Sequence, residues 1–357
     1  MGLLCSQFGR DNYVRRTLIV FALLWVAALP AAVGQNFTVT DLGTLPNRNS
    51  SVATGINDRG EVVGYSESFG SLLPHAFLDQ HGAMADLSTL VGTDSFALAI
   101  NNRGQVVGVG SNAFLIDDGK MIDLGALPGG RFSEPFGIND KGQIVGRSGT
   151  ANGATHAFLF DDGKMIDLGT LGGSFSEAFG INDEGQIVGD ADTANGETHA
   201  FLFDDGKMID LGTLGGQFSG ASGINNRGQI VGGADTVYGA THAFLLDNGV
   251  MVDLGTLPGG HFSAANGIND EGQIVGGADT PNGQHSFEHA FLFDDGKMID
   301  LGTLPGGRDL SEALSINNRG QIVGDSGFPF FNNVPHAVLW TVARDKHDER
   351  KTRGDRD

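Results

Sequence analysis

From Ala178 to Leu211 the chain reads AFGINDEGQIVGDADTANGETHAFLFDDGKMIDL. Four short strands are legible in it. Ala178-Phe179-Gly180-Ile181 leads into Asn182-Asp183-Glu184-Gly185, a tight turn. Gln186-Ile187-Val188-Gly189 is β-branched and bounded by glycine. His199-Ala200-Phe201-Leu202-Phe203 and Lys207-Met208-Ile209-Asp210-Leu211 flank Asp204-Asp205-Gly206, a strong hairpin signal. No segment sustains a 3.6-residue period, so the unit reads as four antiparallel strands.

This unit recurs through the chain. An Ile-Asn-[Asp/Asn]-x-Gly-[Gln/Glu]-[Val/Ile]-Val-Gly string starts at Ile56, Ile100, Ile138, Ile181, Ile224, Ile268 and Ile316, with spacings of 44, 38, 43, 43, 44 and 48 residues. An Asp-Leu pair and a [His/Asn]-Ala-[Phe/Val] triplet each occur seven times as well. A period of about 40–45 residues with four strands per unit is that of a propeller blade. The ends of the array are complementary. Residues 37–44 supply an Asp-Leu strand with no triplet strand before it, and residues 336–340 supply a triplet strand with no Asp-Leu strand after it. Pairing them completes one split blade and removes two exposed sheet edges. An open solenoid needs no such complementarity. The expectation is an all-β protein: a seven-bladed β-propeller of four-stranded antiparallel blades, closed by pairing of the N-terminal with the C-terminal strand. The Asp-Leu strand is then outermost. The strand ending in Ile-Asn, rich in small residues, lines the axis.

Residues 1–34 read as an address. Arg10, Arg15 and Arg16 precede an apolar run over 17–29, Pro30 breaks it, and Ala32-Val33-Gly34 offers a small-residue cleavage site. That run is too short to span a membrane comfortably. The expected organisation is a signal peptide over 1–34, the propeller over 35–341 and a charged, disordered tail over 342–357. The expected location is secreted or periplasmic, without membrane insertion after cleavage. The one cysteine, Cys5, lies in the removed piece, so no disulfide or thiolate site is expected in the mature chain. Cleavage removes three Arg and one Asp, taking the formal net charge from -21 to -23. Such a surface repels phosphate, which excludes a nucleic-acid binder that works by charge neutralisation, and it attracts cations or a basic partner.

The long repeated run over 156–173, again from His199, with its following Gly-Ile-Asn-Asp and Gly-Gln-Ile-Val-Gly, resembles the extracellular repeat of the HAF family of exported bacterial proteins. The resemblance covers 37–340. It departs at Asn112 and Ser88 in the second copy and at Val338 in the last. It implies an extracytoplasmic repeat protein and brings no activity and no catalytic residues.

Residue by residue, chemistry is sparse. Six triplets begin with His; a structural imidazole bonded once per blade explains them better than a metal ring, because third-strand positions of different blades lie too far apart to share one ion. The seven Asn after Ile read as turn residues; with the Ile-Asn strand innermost, some of them also line one mouth of the channel. The six in-register Met read as core. No nucleophile elbow or zinc motif is present. No catalytic residue, metal ligand or cofactor is therefore expected; calcium is the one ion that the acidic turns suggest, and the loop 190–196 does not fit an EF-hand.

Two sets of variable loops, outer-to-inner and second-to-third strand, fall on one rim, opposite short constant turns. A constant frame with variable loops on one face is the form of a recognition surface. The expected contacts are Arg131, Ser174, Gln217, His261 and Arg308, each preceding a loop Phe (Asp309 after the last) that reads as core. Phe328, Phe330 and Phe331 read either as an aromatic docking patch or as packing over the blade rim, and Arg353-Gly354-Asp355 is an adhesion tripeptide only by chance. The expected function is a monomeric, non-catalytic binding or scaffold propeller whose partner is an unidentified protein or surface polymer. The alternatives are an envelope hydrolase or lyase using the axial funnel, and a carbohydrate-binding lectin.

Overall fold

The structure, a computed structural model, describes residues 37–68, 72–280, 288–305, 310–328 and 334–342. The expected signal peptide, Arg308, Phe330, Phe331 and the tail beyond 342 with its Arg-Gly-Asp lie outside the described residues. Among the described residues, 28 strands fall into seven groups of four, each a meander of antiparallel neighbours. In the fourth blade these are Gly172–Ile181, Ile187–Thr193, Thr198–Asp204 and Lys207–Asp210, from the axis outward. The inner strands of the others are Ser50–Ile56, Phe96–Ile100, Ser133–Ile138, Gly215–Ile224, Ser263–Ile268 and Ser311–Ile316, which number blades 1, 2, 3, 5, 6 and 7. The seventh blade is the composite one: Phe37–Gly43 pairs antiparallel with Val334–Val342, Val39 opposite Trp340 and Asp41 opposite Val338. The β-propeller and its split blade are thus as the repeat pattern requires.

Both faces of each blade are covered, so adjacent residues of one strand serve opposite neighbours. Ile187, Ala178 and Phe201 pack with Val145 and Ala157 of blade 3. Val188 and Ala200 pack with Ala221, Ile230 and Phe244 of blade 5. This is why the strands read Ile-Val and Ala-Phe rather than alternating apolar with polar. Seven such clusters line the junctions, the last burying Trp340 against Ile322 and Ala313. The glycine of Ile-Val-Gly is forced by the close approach of the inner strand. A Cβ on Gly189 would lie 1.9 Å from the Glu177 carbonyl oxygen, and on Gly324 1.9 Å from that of Glu312.

Hydrogen bonds join the blades where apolar packing ends. Ser51, Ser95, Ser176, Ser219, Ser263 and Ser311 each accept from an alanine N–H on the third strand of the preceding blade, and Ser51 does so across the ring's split, from Ala337. The His residues behave as structural groups. Nδ1 of His75, His156, His199, His242, His289 and His336 donates to Asp86, Asp167, Asp210, Asp253, Asp300 and Asp41 at 2.8–3.1 Å, tying third strand to outer strand. Asn112 makes the same bond to Asp123 at 2.7 Å.

Two local readings are corrected. A helical turn, Ser88–Val91, follows the outer strand of blade 1. The other copies have a glycine at positive φ there, for example Gly169 at 75°; Ser88 disfavours that region, and the backbone turns right-handed instead. Of the in-register Met residues, Met121 is not core but 46% exposed. No helix among the described residues is long and apolar enough to cross a membrane.

Candidate functional site: the axial channel and its two mouths

The inner strands surround a channel along the axis. At the end formed by the short Asn-Asp turns, a cavity of about 180 Å³ is lined by the seven Ile-Asn-[Asp/Asn] segments. Deeper in, a second cavity of about 220 Å³ is lined by the same Ile residues with Thr54, Leu98, Phe136, Phe179, Ser222, Asn266 and Leu314.

The turn-side mouth is constant and self-satisfied. Each Asn does more than make its turn. Asn182 Oδ1 accepts from Glu184 and Gln186 N–H, while its amide donates to the Asn225 carbonyl of the next blade. The same inter-blade bond runs from Asn57 to Asn101, Asn139, Asn182, Asn225, Asn269 and Asn317, and Asn317 donates back to Asn57. The following residue forms a second ring: Asp58, Asn102, Asp140, Asp183, Asn226, Asp270 and Asn318, each N–H donating to the side chain of the next. The three Asn amides in it bridge the carboxylates on either side, as Asn226 does between Asp183 and Asp270.

The loop-side mouth is where the repeat breaks. The invariant Ser and Gly positions are each followed by a variable residue, and the two variable residues face each other across the inner pair of strands. They are Val52 with Tyr65, Glu134 with Arg147, Glu177 with Asp190, Gly220 with Gly233, Ala264 with Gly277 and Glu312 with Asp325 in blades 1, 3, 4, 5, 6 and 7. Blade 2 has Phe96 with Val109. The result is a funnel with unlike sides. Tyr65 and Phe96 meet edge to face with centroids 4.8 Å apart. Arg147 bridges Glu134 and Glu177 at 2.6 and 2.8 Å and lies 5.6 Å from the centre of the Phe136 ring, which itself stacks on Phe179 at 5.2 Å. Blades 5 and 6 present almost no side chain at this level.

Charge on this wall is unevenly matched. Burial pushes the Asp190 carboxyl up to about 7, helped by Glu177 and Asp192 and opposed by Arg147. Asp190 Oδ1 is buried and has no hydrogen-bond partner among the described residues. Burial, with Glu312 beside it, pushes Asp325 up to about 7 as well. A carboxyl in this range holds or releases a proton near neutral pH and is suited to proton transfer or to capture of a donor.

Of the contacts expected from sequence, Arg131, Ser174, Gln217 and His261 are all exposed at this end, and Arg308 is not described. Arg131 and His261 are on loops, whereas Ser174 and Gln217 lie at the start of the inner strands Gly172–Ile181 and Gly215–Ile224, because the backbone there already pairs with the second strand. The Asp279 carboxylate receives the N–H groups of His261 and Phe262 and fixes that loop. The loop phenylalanines are not all core: Phe132 is 44% and Phe218 39% exposed. Sequence reasoning also missed Val237 and Tyr238, 68% and 94% exposed at a hairpin tip where blades 3 and 4 carry Ala-Asn. The funnel residues had a signal, since they are the breaks in an otherwise constant motif. Their convergence needed the strand register.

No protein-family model matches the chain, and no curated protein sequence does. Solved structures match in fold. The β-propeller domain of the trilobed protease from Pyrococcus furiosus, described as having an open velcro topology, aligns with a TM-score of 0.59 at 10% identity, over 83% of this chain and 97% of that one. A puromycin-hydrolyzing peptidase of Mycobacterium tuberculosis gives 0.56 at 12% identity, over 83% of this chain. The acylaminoacyl peptidase of Pyrococcus horikoshii gives 0.50 at 10% identity, over 85%. The chain spans about half the length of these two peptidases, 51% and 54%. At such identities the likeness is one of fold: this chain is similar to peptidase-associated β-propellers in architecture.

Proposed function

We propose that this protein is an extracytoplasmic, non-catalytic propeller of the HAF-repeat kind that binds a protein or surface polymer through its loop-side face. The observation that carries the reading is the asymmetry between the two ends. The turn-side mouth is constant and internally hydrogen-bonded. The loop side combines exposed Arg131, Ser174, Gln217 and His261 with exposed Phe132, Phe218 and Tyr238 around a funnel of unlike residues. Solvent-facing aromatics next to variable polar groups are the composition of a contact surface. A photo-reactive residue at Gln217 is expected to cross-link a partner in the exporting cell. The same residue at Asp205, on a hairpin tip of the opposite face, is expected to give none. Equal labelling from both positions removes the reading. Export is tested by the N-terminal sequence of the mature protein, expected at Gln35.

A second reading, an envelope hydrolase or lyase, is favoured by one observation: two funnel carboxyls, Asp190 and Asp325, held near 7. Turnover of a peptide or glycoside panel, lost in Asp190→Asn or Asp325→Asn, supports it. Carbohydrate as the bound polymer is tested on the same protein by a glycan array.

A further inference from the structure

We infer that Asp190 anchors a cationic side chain, the guanidinium or ammonium of an arginine or lysine borne by a partner polypeptide, in the funnel between blades 4 and 5. The inference rests on the loop-face binding reading and names the chemistry of the partner. Its template is internal to the ring. In blade 3 the second-strand residue at this register is Arg147, whose guanidinium is held by Glu134 of its own blade and Glu177 of the next, above the Phe136 ring. One blade on, the same three places are filled by Asp190, Glu177 and Phe179, while the next blade contributes Gly220. The carboxylate and the aromatic ring recur without the cation.

The surroundings fit a guest cation. Asp190 is part-buried: its Oδ1 is sealed from solvent with no partner among the described residues, which is uncommon in folded proteins, and its Oδ2, facing Gly220, is the oxygen that a guest reaches. The facing wall is backbone: a Cβ on Gly220 would stand 3.4 Å from Asp190 Oδ2 and 3.5 Å from the Phe218 ring edge. Phe218 is 39% exposed and offers an apolar surface to the stem of a long side chain. The charged groups around Asp190 are Glu177, Asp192 and Arg147, two acids to one base. The Asp-Asn ring at the other mouth is a poorer candidate, because its carboxylates already receive backbone and amide donors from neighbouring blades.

The test is calorimetric titration of the full chain at pH 7.5 with acetyl-arginine amide and its neutral citrulline counterpart. The arginine compound is expected to bind at least 10-fold more tightly than citrulline. Asp190→Asn is expected to weaken it at least 10-fold, and Gly220→Leu to do the same with the charge unchanged. Asp205→Asn, which removes the same charge on the opposite face and has a natural counterpart in Asn248, is expected to change it less than 2-fold. No binding of the arginine compound, equal binding of citrulline, or an equal loss in Asp205→Asn overturns the inference. Cross-linking at Gln217 that persists in Asp190→Asn, together with any of those results, leaves the loop-face reading standing and removes only the cation. Melting of each variant guards against misfolding; Asp190→Asn neutralises a desolvated charge and is expected to melt no lower than the parent.

Discussion

Glycine 189 and aspartate 190 are neighbours with opposite roles, one dictated by packing and one released from it. Gly189 touches the Glu177 carbonyl so closely that any side chain displaces the inner strand. Gly189→Ala is therefore expected to destabilise by about 1–3 kcal/mol, the usual cost of overpacking, read as a lower midpoint in urea at unchanged slope. Asp190 faces the other way, towards Gly220. Its carboxyl is raised from 3.8 to about 7 by burial first and by Glu177 and Asp192 second. The folded chain thus keeps a proton that the unfolded chain releases, so this group's contribution falls as pH rises from about 4 to 7 and is level above. Asp190→Asn is expected to match the parent in melting temperature near pH 4 and exceed it at pH 8. A constant difference across that range contradicts the assignment. The sequence shows Gly as invariant and Asp as variable, so both roles were half legible. What a single residue string withholds is facing: Asn182 reads as a turn residue, and only the blade beside it reveals that its amide serves the next turn.

In blades 3, 4 and 6 the outer hairpin of the meander is clasped twice, by an Asp-Gly turn and by a His–Asp bond. In blade 4 the turn Asp204-Asp205-Gly206 holds Thr198–Asp204 to Lys207–Asp210 even if His199 lets go of Asp210. In blade 7 no turn joins Val334–Val342 to Phe37–Gly43, so the His336–Asp41 bond carries more of the junction. His336→Ala is expected to destabilise by about 1–2 kcal/mol and His199→Ala by less, with faster amide exchange at Val39 in the first only. The pH window follows from the pair. The Asp41 hydrogen bond holds His336 above its usual value. Against burial, the bonds from His336 and Gly43 hold Asp41 below its own. The His contribution is complete below about 6.5 and lost as pH climbs through its raised folded value; the Asp contribution is complete above about 3.8 and lost as pH falls through its lowered one. The clasp is strongest between those limits. Strands and hairpins were legible because most are bounded by Asn-[Asp/Asn]-x-Gly or by an Asp-Gly or Asn-Gly turn. The turn at Ser88–Val91 was not, because it arises from the loss of one glycine rather than from a helical period.

Closure of the ring is the property on which the funnel depends, since the charges of Glu312 and Asp325 in blade 7 act on Tyr65 in blade 1 only when the ring is shut. It is secured at three radii: Asn317 to Asn57 at the axis, Ala337 to Ser51 in the middle, and Val334–Val342 to Phe37–Gly43 outside. If these contacts reproduce an ordinary blade, the chain's own ends are dispensable. Thr341 lies opposite Thr38 in the register that Asp204 and Lys207 occupy in blade 4. A circular permutant joining Thr341 to Thr38 through Asp-Gly, opened at the exposed Asn152-Gly153 hairpin tip, is therefore expected to fold and to melt within a few degrees of the parent or above it. The gain is a two-residue hairpin in place of a junction that otherwise forms between distant parts of the chain. Opened instead between Asp183 and Glu184, the same joined chain cuts a turn of the Asn ring, where Asn182 binds both its own loop and Asn225. That permutant is expected to melt several degrees lower. Calorimetry of the two separates the contributions. Failure of the first to fold means the outer pairing is not what holds the ring shut, and an equal melt in the second means the Asn ring adds nothing to it.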